Sequence, residues 1–159
     1  MRLNEPVTQR EYVLPDGATL MSSTDTHGRI TYANAAFCAT SGFSREQLQG
    51  QPHNMVRHPD MPAEAFADMW ASLKCGEPWV AVVKNRRANG DHYWVRANAT
   101  PVVRGGRQVG YLSVRTKPSA ADVAGKYYVP KLGAFIVYSL MIVILMLRPQ
   151  GLFARAGGK

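Results

Sequence analysis

Apolar positions recur with three different periods along the chain, and the changes of period divide it. Residues 20–25 (LMSSTD) and 29–34 (RITYAN) alternate over a few residues around Asp25-Thr26-His27-Gly28, which predicts two short strands joined by a turn. Asn34 is placed to cap a short helix through Phe37, and Ser44 another, with Gln47 three residues on as its capping-box partner. From Met61 to Leu73 the period is helical: Ala65, Phe66, Met69, Trp70 and Leu73 share one face, and Pro62 marks the first turn. After Gly76 the period drops to two. Residues 78–87 (PWVAVVKNRR) and 92–103 (HYWVRANATPVV) flank Ala88-Asn89-Gly90-Asp91, whose Asn-Gly step is a two-residue hairpin signal, and Gly105-Gly106 opens a further strand at residues 107–117. Two strands, short helices and a three-stranded meander give an α+β domain over residues 20–117: a five-stranded antiparallel sheet with short helices on one face. Residues 1–19 precede it as an N-terminal cap segment.

The last period is no period at all. Residues 132–147 (LGAFIVYSLMIVILML) are uncharged and apolar throughout. Extended back to Tyr127, with Tyr128 as an interfacial aromatic and Lys131 able to snorkel, the run reaches roughly 31 Å, enough for a bilayer core of about 30 Å. The expectation is a membrane-spanning or membrane-anchoring helix at 127–148, after a small, polar linker at 118–126 and before a short basic tail at 149–159.

Charge refines this picture. The net charge is +8. Residues 1–119 hold 14 basic and 10 acidic side chains, whereas residues 120–159 hold 5 basic and 1 acidic, so a quarter of the chain carries half the excess. Basic flanks of an apolar helix meet phospholipid headgroups, which removes the need for a nucleic acid as partner. Cys38 and Cys75 lie far apart and outside any metal-binding spacing, so neither a disulfide framework nor a zinc site is expected. No apolar run follows Arg2 and Arg10, so no secretory signal is read there and the domain is expected in the cytoplasm.

Catalytic motifs are missing: there is no GxSxG, P-loop, GxGxxG or HExxH, and no enzymatic activity is expected. Two stretches carry other chemistry. Residues 51–62 (QPHNMVRHPDMP) place two histidines, Arg57 and Asp60 just ahead of a helix. That suits a phosphate or pyrophosphate by charge pairing and exposed N–H groups, and equally a capping loop with Asp60 at the N-cap paired to Arg57. Trp79, Ala81, Val83 and Asn85 share one strand face, so Asn85 extends an apolar row. Its amide is either matched by a planar heterocycle or bonds its own backbone at a strand end. Lys84, Arg86, Arg87 and Arg96 read as a solvated, charged sheet edge.

Residues 20–117 resemble a PAS sensor domain, with Asp25, Gly28, Ile30, Tyr32, Asn34, Phe37, Gly42, Glu46 and Gly50 in its early pattern. More narrowly, QGQPHNMVRHPDMP at 49–62, FADMW at 66–70, GEPW at 76–79 and KNRRANGDHYWVRANATPVVR at 84–104 resemble the flavin-binding PAS domain of bacterial aerotaxis receptors. The likeness covers about three quarters of the chain, from residue 7 to 118. It implies non-covalent FAD, a redox or oxygen-sensing role, and cofactor-binding positions at Arg57, His58, Asp60 and Asn85, with Trp79 lining the pocket. A light-sensing adduct is disfavoured because residues 51–58 contain no cysteine. The tail 126–159 is similar to the C-terminal end of branched-chain amino-acid transporter permeases, where RPQGLF follows the last helix. The resulting expectation is an inner-membrane-tethered FAD redox sensor acting through a second copy or a signalling partner. The alternative is a sensor remnant joined to a permease end.

Overall fold

The computed structural model describes residues 4–122. Residues 1–119 form one unit; of the second, 120–159, only the helical start at 120–122 is described. The expected linker beyond residue 122, the apolar helix at 127–148 and the basic tail therefore lie outside the described residues. Among those described, no helix is long and apolar enough to cross a membrane.

The chain runs β1 (Thr19–Thr24), β2 (Ile30–Ala33), α1 (Ala35–Ser41), α2 (Arg45–Leu48), a 3-10 turn (His53–Val56), α3 (Ala63–Lys74), β3 (Trp79–Arg86), β4 (His92–Arg104) and β5 (Arg107–Thr116). All strand pairings are antiparallel, in the order β2-β1-β5-β4-β3, so the first hairpin pairs with the last strand of the meander. This is the five-stranded sheet with short helices that the alternation predicts.

Local chemistry accounts for the boundaries. Asn34 accepts the Phe37 N–H at 2.9 Å and so starts α1, which runs beyond Phe37 to Ser41 and stops at Gly42 in the left-handed region. Ser44 and Gln47 form the full capping box of α2. Gly105 and Gly106 both have positive φ, as the two-residue turn between β4 and β5 requires. The β3–β4 connection differs from its Asn-Gly expectation: residues 87–91 form a longer loop, because Ala88 donates to the Ser41 carbonyl at 2.8 Å and Asn89 bonds both ends of Asp91. Likewise α3 begins at Ala63 rather than Met61, whose N–H is engaged by the His58 carbonyl at 3.1 Å.

Strand alternation then sorts the faces. Along β4, Tyr93, Val95, Ala97 and Ala99 are buried while Arg96, Asn98 and Thr100 are exposed. The inward side carries the core, including Leu20, Ile30, Phe37, Leu48, Val56 and Leu73. Each fully buried side chain of this size contributes roughly 1.5 to 3 kcal/mol. One sequence expectation is overturned on the outward side. Lys84 and Arg86 are not solvated but 8 % and 7 % exposed, because the N-terminal segment crosses them: Lys84 Nζ donates to Gln9 at 3.4 Å and Arg86 to the carbonyls of Glu5 and Pro6 at 3.2 and 3.4 Å.

Candidate functional site

A cavity of about 200 Å³ lies between the inward sheet face and α3. Its floor follows from register. Ala97 opposes Arg115, Ala99 opposes Ser113, and Ser113 opposes Ser22, so small side chains from three adjacent strands leave an open, flat platform. Trp79, paired with Ala99, walls one end, and Phe66, Met69, Trp70 and Leu73 of α3 face the platform at helical spacing. The Trp79 indole N–H donates to Asp68 at 2.8 Å, tying α3 to β3 across the cavity.

The polar groups converge at the other end. Asn85 is 5 % exposed and lines the cavity from β3, beside buried Tyr93 on the paired strand. Burial pushes the Tyr93 phenol up to about 12, an effect reduced by the Arg115 charge. Arg115 is 4 % exposed; its guanidinium donates twice to Ser22 Oγ at 3.1 Å, lies 2.6 Å from His53 Nε2 and stacks 5.0 Å from the Phe37 ring centre. Burial lowers the guanidinium to about 10, which leaves it charged at neutral pH. Burial first, and then Arg115, hold the His53 imidazole down at about 3, so His53 is neutral and its Nε2 accepts. Ser22 and His53 are thus neutral acceptors around a buried cation that, among the described residues, has no carboxylate in hydrogen-bonding contact.

The 53–61 loop supplies the last wall. Arg57 lines the cavity, donates through Nη2 to the Met61 carbonyl at 2.8 Å and stacks 4.0 Å over Phe66. Its Nε is buried with no hydrogen-bond partner among the described residues. Desolvation lowers this guanidinium too, with Glu64 opposing.

Of the five residues singled out from sequence, Arg57, Trp79 and Asn85 are brought together around the cavity. His58 and Asp60 are turned to the other side of the loop. Asp60 neither caps α3 nor pairs with Arg57; its carboxylate binds Lys84 Nζ at 2.6 Å, and that bond holds it below the usual carboxylate range. His58 is fully buried against His92. The arrangement missed by sequence reasoning is the Arg115–His53–Ser22 group. Its signal was present as period-two alternation of Tyr111, Ser113 and Arg115, which puts an arginine on the inward face.

An orphaned guanidinium nitrogen, a buried cation without a carboxylate, an inward carboxamide and a flat floor of small side chains together fit a planar heterocycle with acceptor atoms on its edge and an anionic extension. No cysteine lines the cavity.

The PAS fold family model matches residues 30–115. The aerotaxis receptor of Escherichia coli is 60 % identical over 118 residues, covering 74 % of this chain and 23 % of the receptor. The nitrogen fixation regulatory protein of Klebsiella pneumoniae is 33 % identical over 91 residues, 57 % of this chain and 18 % of that protein. The chain therefore spans less than a quarter of the length of these relatives. Among solved structures, the dark-state LOV domain of the blue-light photoreceptor Aureochrome1 superimposes with a TM-score of 0.62 at 21 % identity, covering 72 % of this chain and 85 % of that one. A light-oxygen-voltage domain studied with a flavin analogue gives 0.61 at 23 %, covering 73 % and 87 %. The tail's likeness to transporter permeases is supported by none of these matches. The chain belongs to the PAS fold family, and its PAS region is homologous to that of the aerotaxis receptor.

Proposed function

We propose that this protein is an FAD-binding PAS redox or oxygen sensor of the aerotaxis type. Arg115 carries this reading: a buried cation without a carboxylate, on the wall of a cavity with a flat floor, calls for electron-rich acceptors on the ligand. A bound flavin would supply the redox chemistry. The chain's own residues hold and report it. Asn85 presents its amide to the ring edge, Trp79 closes the apolar end, and Arg57 offers its unpartnered Nε toward the anionic extension. His58 and Asp60 act one layer behind, by fixing the loop that carries Arg57.

Asn85 would hold the ring edge of a bound flavin through its amide, and a reorientation of that amide to keep its bonds matched would pass through β3 into the sheet. The protein has no enzymatic role in this reading. The apolar run 127–148 tethers it to the inner membrane with the PAS domain in the cytoplasm, and output passes to a second copy or a signalling partner.

The test is spectroscopic. The purified full chain should carry a yellow chromophore that bleaches on reduction and is released as FAD on denaturation. Asn85→Ala and Arg57→Ala should each weaken FAD retention by tenfold or more. A colourless chain that fails to take up added FAD, or variants that retain it fully, would overturn the reading.

A further inference from the structure

Two buried imidazoles, His58 and His92, take no part in lining the cavity, and both lie where the N-terminal segment crosses the domain. Residues 4–12 form a strap over the outward side of β3 and the start of β4. The Thr8 N–H donates to the Gly90 carbonyl at 3.0 Å, the Tyr12 N–H to the His92 carbonyl at 2.7 Å, and the His92 N–H to the Arg10 carbonyl at 2.9 Å. At its start Asn4 donates from Nδ2 to the carbonyls of Asn54 at 2.7 Å and Arg57 at 2.9 Å, two residues whose other side borders the cavity. The strap therefore holds the cavity loop from behind.

The two rings meet edge to face with centroids 5.7 Å apart; His58 is 0 % and His92 8 % exposed. His58 Nδ1 accepts the Asp60 N–H at 3.1 Å, which puts the ring proton on Nε2; that atom and His92 Nδ1 are buried with no hydrogen-bond partner among the described residues. A second proton on His58 must go to Nδ1. It would convert the acceptor of the Asp60 N–H into a donor and break that bond. The Asp60 carboxylate, 3.5 Å away, can accept the new N–H but is now engaged by Lys84 at 2.6 Å. Lys84 in turn holds Gln9 of the strap.

The surrounding charges are mixed. Lys84 and Arg86 of β3 oppose a positive His58, and Asp60 of the loop favours it. Lys84 opposes a positive His92, while Glu11 of the strap, Asp60 and Asp91 favour it. Burial is the largest influence on both rings and holds both below the ordinary imidazole range. A histidine kept neutral when docked lends stability that is complete above its free value of 6.5 and is lost progressively as pH falls below it.

We propose that His58 and His92 form an acid-operated latch: with both rings neutral the strap is docked and the cavity loop is held, and their protonation frees the strap and loosens the loop. The latch stands whatever fills the cavity; its meaning as regulation rests on the flavin reading.

Hydrogen–deuterium exchange on the flavin-free full chain, corrected for the intrinsic pH dependence of exchange, separates the two. Opening of residues 5–12 should rise tenfold or more between pH 7.5 and 5.5 while the β4 and β5 amides stay protected. Asn4→Ala should open the strap at both values, and the double variant His58→Gln, His92→Gln should lose the pH step. A native chain without the step, or a double variant that keeps it, overturns the latch. If the double variant does not fold, imidazole titration by NMR in the native chain decides. Both rings should resist protonation until the strap amides open, and ordinary titration with those amides still protected overturns the proposal. Failure to bind flavin at any pH counts against the cofactor reading alone.

Discussion

Arg115 concentrates the energetics of the cavity in one side chain. Desolvating a guanidinium without a carboxylate costs several kcal/mol, only partly offset by its bonds to Ser22 and His53 and by the Phe37 ring. Stability and binding should therefore part company on substitution. Arg115→Met keeps the stem and removes the charge. Thermal unfolding of the flavin-free protein should show unchanged or higher stability, by about 0 to 2 kcal/mol, while flavin titration should show affinity lower by tenfold or more. Equal losses in both would mean that Arg115 is structural. The side on which a residue falls was legible in sequence where it depended on one strand's alternation, as at Asn85 and Trp79. It was illegible at His58 and Asp60, because spacing cannot say which side of an irregular loop a side chain takes. Asp60 is drawn to Lys84, 24 residues away, rather than to its neighbour Arg57.

Elements stand or fall here on a few side chains that serve two backbones at once. Asn34 caps α1 by accepting the Phe37 N–H, accepts the Met21 N–H at 3.0 Å, and donates to the Thr19 carbonyl at 3.0 Å, so one residue joins α1 to β1. Loss of a cap costs about 1 kcal/mol and a lost internal bond about as much again. Asn34→Ala should therefore destabilise the domain by about 2 to 3 kcal/mol in chemical denaturation; a cost of about 1 kcal/mol or less, that of the cap alone, would show that the link to β1 adds nothing. Most element types were readable from such caps and from the change of period at Gly76. The 3-10 turn at His53–Val56 was not, since four residues leave no periodic trace. Nor was the burial of Lys84 and Arg86, whose partners Gln9, Glu5 and Pro6 lie 75 to 81 residues earlier in the chain.

At the scale of the whole domain the sheet separates two layers, a cavity under α3 on its inward side and a strap on its outward side, and the 53–61 loop belongs to both. Gly90 shows how closely the strap is fitted: a Cβ there would sit 2.8 Å from the Pro6 carbonyl oxygen, so even Gly90→Ala, at a position outside the cavity lining, should push the strap away. Because Asn4 bonds the backs of Asn54 and Arg57, docking of the strap and filling of the cavity are linked equilibria, and linkage is reciprocal. Two bonds of about 1 kcal/mol each set the ceiling at roughly thirtyfold. Asn4→Ala should weaken flavin binding by some factor within that ceiling, and bound flavin should suppress strap opening in the native chain by the same factor. Titrating flavin into native and Asn4→Ala protein gives the first factor, and exchange of the Thr8 and Tyr12 amides with and without flavin gives the second. If flavin leaves those amides unchanged while Asn4→Ala still weakens binding, the side chain supports the loop directly and strap and cavity are not coupled. If the two factors agree, residues 4–12 are part of the sensor.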